Sequence, residues 1–283
     1  MESKFVYSPH YEFFIDKAHR DAGYNMRTFH VHKKYEIYYQ IDGTRQYYIN
    51  EDTYLVNAGS IVLIGTDEVH KTSSVDNNSH TRYVLNFNRE YLDALSGVFP
   101  DIDLFECFEM GLHVFPIQLR QQALIETYFE RMIAAASSDT PEHAAEKKLT
   151  LALLLIALNK SARSAKEKAT APSRVSNKTI DKIQSYISTH YKDDLSLSLI
   201  ASQFYISPYY LSHLFKKMTN LSIVEYINSV RLMAAKNLLE TTDMKVTAVA
   251  EDTGFSTTAH FSRVFKDGTG FSPQQYRKTF QRK

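Results

Sequence analysis

The feature that most constrains the fold is a degenerate internal repeat in the C-terminal third of the chain. Residues 200–222 run IASQFYISPYYLSHLFKKMTNLS, and residues 249–272 run VAEDTGFSTTAHFSRVFKDGTGFS, with one extra residue in the second turn. Two copies at a spacing of about 50 residues are too few for a solenoid, so we expect two copies of one small helical module. The matching pairs are Ile200-Ala201 with Val249-Ala250, Leu211 with Phe261, Phe215-Lys216 with Phe265-Lys266, Thr219 with Thr269, and Ser222 with Ser272.

Each copy has the pattern of a helix, a tight turn and a second helix. The opening helices are predicted over Leu197–Phe204 and Val246–Thr253. Pro208 suits the first turn of the next helix, and Gly254 suits the left-handed backbone that such turns often need. The predicted N-caps are Ser207 in the first copy and Ser256 or Thr257 in the second. This pattern is typical of a helix-turn-helix.

The second helix of each copy is predicted to be amphipathic, with its apolar residues buried and its polar residues facing solvent. Hydrogen-bonding side chains there suit base edges in a major groove, and Arg263 suits a bidentate contact to guanine. Lys216, Lys217 and Lys266 suit DNA phosphates, which set affinity rather than sequence preference. The alternative is a helix pair whose outer face is merely solvated, and the shared polarity of both copies disfavours it. The outward residues are Tyr209, Ser212, His213 and Lys216 in the first copy, and Thr258, Ala259, His260, Arg263 and Lys266 in the second.

A stretch without Gly or Pro, Val224–Leu239, joins the two modules and has an amphipathic pattern. About 16 residues at 1.5 Å each give a helix of roughly 24 Å. With the widths of the modules added, this helix could set two recognition helices about one DNA turn, ~34 Å, apart on one face. One polypeptide is therefore expected to occupy two successive major grooves.

The charge balance differs between the two parts of the chain. Lys and Arg outnumber Asp and Glu by six in residues 171–283, whereas acidic residues are in excess by five in residues 1–170. The excess of positive charge in residues 171–283 indicates that this part of the chain binds a polyanion.

Residues 25–90 alternate apolar and polar positions, with Tyr35, Ile37 and Tyr39 on one face and Tyr47 and Ile49 on another. Short strands at this spacing predict an all-β barrel or sandwich, and the alternative is a small open sheet with no pocket. Helical periodicity follows over 118–136 and 142–158, predicting two helices that cover the β domain or pair with a second subunit. The expected organisation is residues 1–160 as one domain, 161–176 as a linker, and 177–283 as a helical domain.

Residues 177–283 resemble the DNA-binding part of the AraC/XylS family of bacterial transcription regulators. The stretches that carry the resemblance are SPYYLSHLFKK, EYINSVRLMAAKNLL and VAEDTGFSTTAHFSRVFKDGTGFSPQQYR. In that family both modules bind DNA, so the resemblance implies base contacts from Tyr209, Ser212 and His213 and from Thr258, Ala259, His260 and Arg263. Since Ser212 and His213 are short or weakly donating, the second module is expected to contribute more sequence preference.

Two N-terminal runs resemble the paired motifs of cupin barrels, in which His and Glu side chains bind one metal. The matching residues are His30, His32, Glu36 and His70. Two imidazoles two residues apart on a strand share a face, and a carboxylate completes a mixed nitrogen and oxygen site. This sequence departs from the cupin pattern at Gly65, Asp67 and Ser74. Three interpretations stay open for these residues, namely a metal site, the polar lining of a small-molecule pocket that includes Tyr38, and purely structural histidines.

These observations together predict an α+β multidomain protein, with a cupin-like N-terminal β-barrel, trailing helices, and an all-α domain with two helix-turn-helix modules. The predicted function is sequence-specific DNA-binding transcription regulation, controlled by a small-molecule effector such as a sugar or another small polar metabolite. We expect a homodimer that binds double-stranded promoter DNA and contacts RNA polymerase, with no cofactor and no catalytic residues. The alternative is a cupin metalloenzyme or metal sensor fused to a DNA-binding module.

Membrane spans and disulfides are not expected. No segment reaches the ~18 apolar residues that a membrane span needs. The single cysteine, Cys107, excludes an internal disulfide framework. The sequence therefore predicts a cytoplasmic protein without a membrane partner.

Overall fold

The computed structural model describes residues 12–26, 29–50, 52–75, 78–98, 101–138, 140–168, 177–219 and 221–281. The strands are β1 (Phe13–Arg20), β2 (Tyr35–Asp42), β3 (Thr44–Ile49), β4 (Asp52–Asn57), β5 (Ser60–Ile64), β6 (His70–Ser74), β7 (His80–Phe87) and β8 (Val114–Pro116). A 3₁₀ turn over Arg89–Leu92 leads into the helices of the first domain, which are α1 (Asp93–Ser96), α2 (Glu106–Glu109), α3 (Leu119–Ala135) and α4 (Pro141–Glu167). The remaining helices are α5 (Lys178–His190), α6 (Leu197–Gln203), α7 (Pro208–Thr219), α8 (Ile223–Thr241), α9 (Val246–Asp252), α10 (Thr258–Thr269) and α11 (Pro273–Phe280).

The predicted β domain forms, and its strands lie in two antiparallel sheets. The larger has the order β1-β7-β2-β5-β8 and the smaller the order β4-β3-β6. Among the described residues the two sheets are not hydrogen-bonded to each other into a closed barrel, so the domain has the sandwich layout that the strand spacing also allowed. Side chains from both sheets meet between them, with the rings of Tyr38 and Tyr47 centred 4.9 Å apart. Strand alternation thus places one face of each strand in this interior, as the sequence predicted for Tyr47 and Ile49.

Helices α3 and α4 cover the outer face of the larger sheet. The ring of Phe129 stacks on that of Tyr83 with centroids 4.7 Å apart. The helices also leave leucines in solvent, since Leu119 is 83% exposed, Leu149 53% and Leu153 45%. Leu149 and Leu153 therefore lie outside the buried stripe of α4, which includes Leu151, Leu154, Leu155 and Leu158.

The predicted linker begins too early in the sequence. Helix α4 continues to Glu167, seven residues into the segment 161–176 that was expected to be a linker. The small residues Ala162 and Ala165 are buried in the core of the first domain, so this turn of helix needs no large apolar side chain. Residues 169–176 of the expected linker lie outside the described residues.

The repeat seen in the sequence extends to individual hydrogen bonds of the helical domain. The hydroxyls of Thr219 and Thr269 each donate to the carbonyl four residues earlier, at 2.7 Å in both copies. Ser222 and Ser272 then cap α8 and α11 with full capping boxes. Each recognition helix is therefore followed by the same turn and the same kind of helix start.

Candidate DNA-reading helices and effector pocket

The turns of both modules form as predicted. In the first module the Ser207 hydroxyl accepts a hydrogen bond from the Tyr210 amide at 3.1 Å. In the second module Thr257 is the cap, because its hydroxyl accepts from the His260 amide at 3.2 Å. Gly254 has a φ of +81°, which is the left-handed conformation expected there. These local interactions set where each recognition helix begins.

The residues predicted to meet DNA lie on the outer faces of α7 and α10. Tyr209 is 82% exposed, whereas Leu211 and Phe215 on the opposite side of α7 are fully buried. On α10, Phe261 and Phe265 are buried in the same way. The exposed candidates are Tyr209, Ser212, His213, Lys216, Lys217, Ala259, Arg263 and Lys266, and the half-buried ones are Thr258 and His260.

Helix α8 separates the two modules as one uninterrupted rod. Its 19 residues, Ile223–Thr241, make it about 28 Å long at 1.5 Å per residue. Arg231 of α8 donates to the carbonyls of Tyr191 and Asp193 at 2.8 Å each, which ties the rod to the end of α5. The rod therefore fixes the spacing between the two modules.

A cavity lies between the two sheets of the β domain. The structure places all five candidate pocket residues, His30, His32, Glu36, Tyr38 and His70, around it. The other lining residues are Tyr24, Met26, Tyr47, Thr72, His80, Arg82, Val84 and Asn86. The lining combines phenol rings with a few convergent polar groups, which is the usual composition of a small-molecule site.

Glu36 organises one end of this cavity. Its Oε2 accepts from the side-chain amide of Asn86 at 2.8 Å, and lies 3.3 Å from His32 Nε2 and 3.9 Å from His70 Nε2. Each imidazole has its Nδ1 against a backbone carbonyl two residues along the chain, at 2.9 Å for His32 and 3.0 Å for His70. Burial by itself raises the pKa of Glu36, but the hydrogen bond with His32 and the charges of the neighbouring imidazoles outweigh burial and lower it to about 2.

This end of the cavity has the donor set of a metal site. One ligand atom each from His32, Glu36 and His70 can be chosen so that all three lie within 4.8 Å of one another. Metal-binding histidines usually donate their second ring nitrogen to a carbonyl or carboxylate, as the two Nδ1 atoms do here. Burial lowers the pKa of His70 to about 4, against the opposing charge of Glu36, and so favours the neutral ring that binds metals.

Sequence reasoning missed the basic end of the same cavity. His80 and Arg82 of β7 line it, and Arg45 of β3 lies close to both. Arg45 is 1% exposed, His80 2% and Arg82 7%. The alternation of side chains along β3 could have predicted this position. Arg45 lies on the same face of the strand as Tyr47 and Ile49, which point into the interior.

Two segments of the β domain touch the cavity on one side and the helical domain on the other. His30, His32 and His70 border the cavity, while Phe29 and Val31 lie in the core of the helical domain. His30 and His70 exchange backbone hydrogen bonds of 2.9 Å, which joins the two segments. The alternation of strand side chains therefore places cavity and interface residues next to each other in the chain.

Polar contacts also hold the two domains together. Asp67 accepts from Lys33 of its own domain at 3.0 Å and from Lys236 of α8 at 2.9 Å. Lys33 also binds Glu240 of α8 at 2.7 Å, and Lys236 is 4% exposed. Burial raises the pKa of Asp67, but the two lysines outweigh this and leave it below its ordinary value. Further contacts join Lys71 to Glu225 at 2.8 Å and the side chain of Gln46 to the Met218 carbonyl at 3.0 Å.

Comparison with known families agrees with this two-domain architecture. Residues 14–155 match the model of an AraC-like ligand-binding domain, and residues 200–279 match that of a helix-turn-helix domain. The first of these covers half of the chain. The chain belongs to the AraC family of transcription regulators. Its β domain is the ligand-binding domain of that family and its helical domain the DNA-binding domain, as the sequence predicted.

Relatives within the AraC family match the chain to different extents. The uncharacterized regulator YijO of Escherichia coli K12 is 43% identical over 98 residues, which is 35% of each chain. The chain thus spans about a third of YijO, and a similar share of the regulator PocR of Salmonella typhimurium, at 31%. The transcriptional activator RhaS of Klebsiella pneumoniae is 28% identical over 251 residues, covering 88% of this chain and 87% of RhaS.

Among solved structures, ToxT of Vibrio cholerae aligns with 95% of this AraC-family chain and 99% of its own. The sequence identity is 14% and the TM-score 0.40. Within the described residues, helices are too short or too polar to cross a membrane.

Proposed function

We propose that this AraC-family chain regulates transcription by binding promoter DNA through α7 and α10, under the control of a small molecule bound between the two β sheets. One observation carries the control. The segments 29–33 and 67–71 line the cavity with His30, His32 and His70, and they contact α8 and α10 through the residues next to these histidines.

The proposed DNA contacts divide by chemistry. Residues that can reach base edges are Tyr209, Ser212 and His213 on α7, and Thr258, Ala259, His260 and Arg263 on α10. Lys216, Lys217 and Lys266 contact phosphates, which position the protein on the duplex. The relative RhaS is named a transcriptional activator, which supports action of this chain through DNA binding.

The coupling follows from strand geometry. A ligand that displaces His30 or His32 also displaces their neighbours Val31 and Lys33, because all four belong to the same short segment. Val31 donates its amide to the carbonyl of Gly268 in α10 at 3.3 Å. For regulation the ligand must bind two arrangements of the domains with different affinity, and this interface is the element whose arrangement it biases.

Hydrogen exchange of the whole chain tests the coupling before an effector is known. We expect His70→Ala to speed amide exchange in residues 223–241 and 258–269. The matched control is Thr53→Ala, which alters a buried residue of the edge strand β4. Exchange changes confined to the β domain in both variants would contradict the coupling.

A reporter measurement tests control of transcription. DNA selected from a random library by the whole protein is placed upstream of a reporter, and a panel of sugars, sugar acids and phosphate esters is supplied. We expect a several-fold response to at least one compound, lost in Tyr38→Ala although that variant still binds the selected DNA. Equal response of wild type and variant to every compound would contradict the proposed pocket.

A divalent metal is a second candidate for the cavity, because two Nε2 atoms and a carboxylate converge there. Three protein ligands with an open fourth position are typical of Zn²⁺ sites that act on a bound molecule. Metal analysis of protein purified without chelator decides this point. About one equivalent in the wild type and none in a His32→Ala, His70→Ala double variant supports the metal, and none in either excludes it.

We also propose a homodimer through the exposed side of α3 and α4. The exposed leucines of these two helices are Leu119, Leu124, Leu149 and Leu153. Sedimentation should show a dimer for the wild type and a monomer for Leu149→Glu, Leu153→Glu. We propose in addition that the protein contacts RNA polymerase, as expected from the sequence.

A further inference from the structure

The cavity of the β domain has two chemically different ends. Glu36, His32 and His70 form one, whereas Arg82 and His80 form the other with Arg45 close by. Asn86, which binds Glu36, is four residues from Arg82 on β7, a distance of about 13 Å along a strand. A ligand that fills the cavity therefore meets an acidic group at one end and buried cationic groups at the other.

The hydrogen bonds of Arg45 leave one of its donor atoms unused. Its Nε donates to the Thr72 hydroxyl at 3.3 Å and its Nη1 to the Tyr24 carbonyl at 2.7 Å. Its Nη2 is buried without a hydrogen-bond partner among the described residues. Burial lowers the pKa of Arg45, because the protein interior disfavours its charge.

Arg82 and His80 also have buried nitrogen atoms without a hydrogen-bond partner among the described residues. Nη1 of Arg82 lies 3.4 Å from a carboxylate oxygen of Asp16, yet it makes no hydrogen bond within the described part of the chain. The Nδ1 of His80 is also buried without a described partner. Burial and the nearby charges of Arg45, Arg82 and Arg20 lower the pKa of His80 to about 4, against an opposing effect of Asp42.

A buried cation without a full set of acceptors is costly to a fold, and an anion removes that cost. We propose that the effector is a small organic anion whose acidic group binds Arg82 and His80 with Arg45 behind them. The guanidinium of Arg82 suits two parallel hydrogen bonds to a carboxylate or a phosphate. The phenol rings of Tyr38 and Tyr47 flank the body of the ligand, and its far end faces Glu36. This inference rests on the proposed effector pocket and adds the charge of its ligand.

Small anions provide the first test, with the whole protein and without knowledge of the effector. Thermal unfolding is followed in sodium phosphate and in sodium acetate, each compared with sodium chloride at equal ionic strength. We expect at least one of the two anions to raise the Tm of the wild type by about 2 °C or more. Arg82→Gln should lose that shift. Arg131→Gln should keep it, because it removes an equal charge from the exposed surface of α3, where Arg131 pairs with Glu146.

A second measurement needs only the wild type, in case Arg82→Gln does not fold. Phosphate in exchange with the pocket should show a broadened ³¹P resonance that sharpens when acetate is added. A larger shift with phosphate than with acetate indicates a phosphorylated effector, and the reverse indicates a carboxylate. Neither a Tm shift nor line broadening in the wild type, or an equal Tm shift in Arg82→Gln, overturns the inference.

A matched pair of ligands separates this inference from the pocket proposal. Galacturonate and galactose differ mainly by the carboxylate, and both are titrated into the wild type and His70→Ala. Stronger binding of galacturonate, by at least tenfold, supports the inference. Equal or stronger binding of galactose that is lost in His70→Ala overturns the anionic effector while leaving the pocket proposal in place.

Discussion

The two helix-turn-helix modules share a framework of caps, turns and buried side chains, and they differ in the polar side chains of their outer faces. The same capping serine, the same threonine turn and the same buried aromatic positions recur in both copies. The polar outer faces differ, since α10 carries Arg263 where α7 carries His213. The framework is thus repeated, whereas the side chains on the outer face, which we propose contact DNA, are specific to each module.

The turns differ as well, and the difference reflects their surroundings. Tyr205 takes the left-handed conformation in the first turn, with a φ of +56°, and its side chain is 96% exposed. Gly254 takes the same place in the second turn, where a Cβ would lie 2.6 Å from the carbonyl oxygen of Tyr191. A side chain is therefore tolerated in the first turn at a backbone cost, and excluded from the second by packing.

The largest effect is expected for Gly254→Ala. Left-handed strain and a backbone clash each cost about 1–3 kcal/mol, so we expect a loss of about 2–4 kcal/mol in the free energy of unfolding. Denaturant unfolding of the whole protein measures it. A loss below about 0.5 kcal/mol would show that the second turn is as open as the first.

Arg263→Ala should be next in size and should act on DNA binding. We expect a loss of about 1–3 kcal/mol on the preferred site, with relaxed preference at one base pair. His213→Ala, the matched change on α7, should cost less because an imidazole makes a weaker contact than a bidentate guanidinium. Equal loss on every DNA sequence would contradict base reading by Arg263.

The phosphate contacts should be equivalent in the two modules. Lys216→Ala and Lys266→Ala should each weaken binding to all sequences alike and reduce the slope of log K against log salt by about one. Fluorescence anisotropy over a range of salt concentrations measures both slopes. A changed slope for only one lysine would mean that only one module lies on the DNA backbone.

The smallest effect is expected for Tyr205→Gly. Relief of a left-handed backbone favours the variant by about 1 kcal/mol, and the greater freedom of glycine in the unfolded chain opposes it by a similar amount. The net change should lie within about 0.5 kcal/mol by the same denaturant measurement. A loss above about 1 kcal/mol would reveal a contact of this exposed ring that matters to the fold.

The helical domain could be predicted closely because its signals are local. Caps such as Ser207 and turn residues such as Gly254 act within a few residues, so the sequence around them specifies the turn. The end of α4 could not be found in this way, because its last buried residues are alanines. The pairing of the strands into two sheets also escaped prediction, since register depends on partners far apart in the chain.

The candidate pocket was found only in part. His30, His32, Glu36 and His70 form recognisable motifs, and the structure brings them together. Arg82 carries no motif, and its role emerges only when β7 is placed beside the interior of the domain. Contacts between the domains, such as Asp67 with Lys236, join residues 169 apart and leave no local signal.

The central claim is that one chain reads two successive major grooves with unequal modules. Selection from a random DNA library, with wild type, Arg263→Ala and His213→Ala as whole proteins, tests it most directly. We predict two blocks of preferred bases about 10 base pairs apart, with Arg263→Ala weakening one block and His213→Ala weakening the other by less. A single block, or an equal loss in both blocks from either variant, would contradict the account.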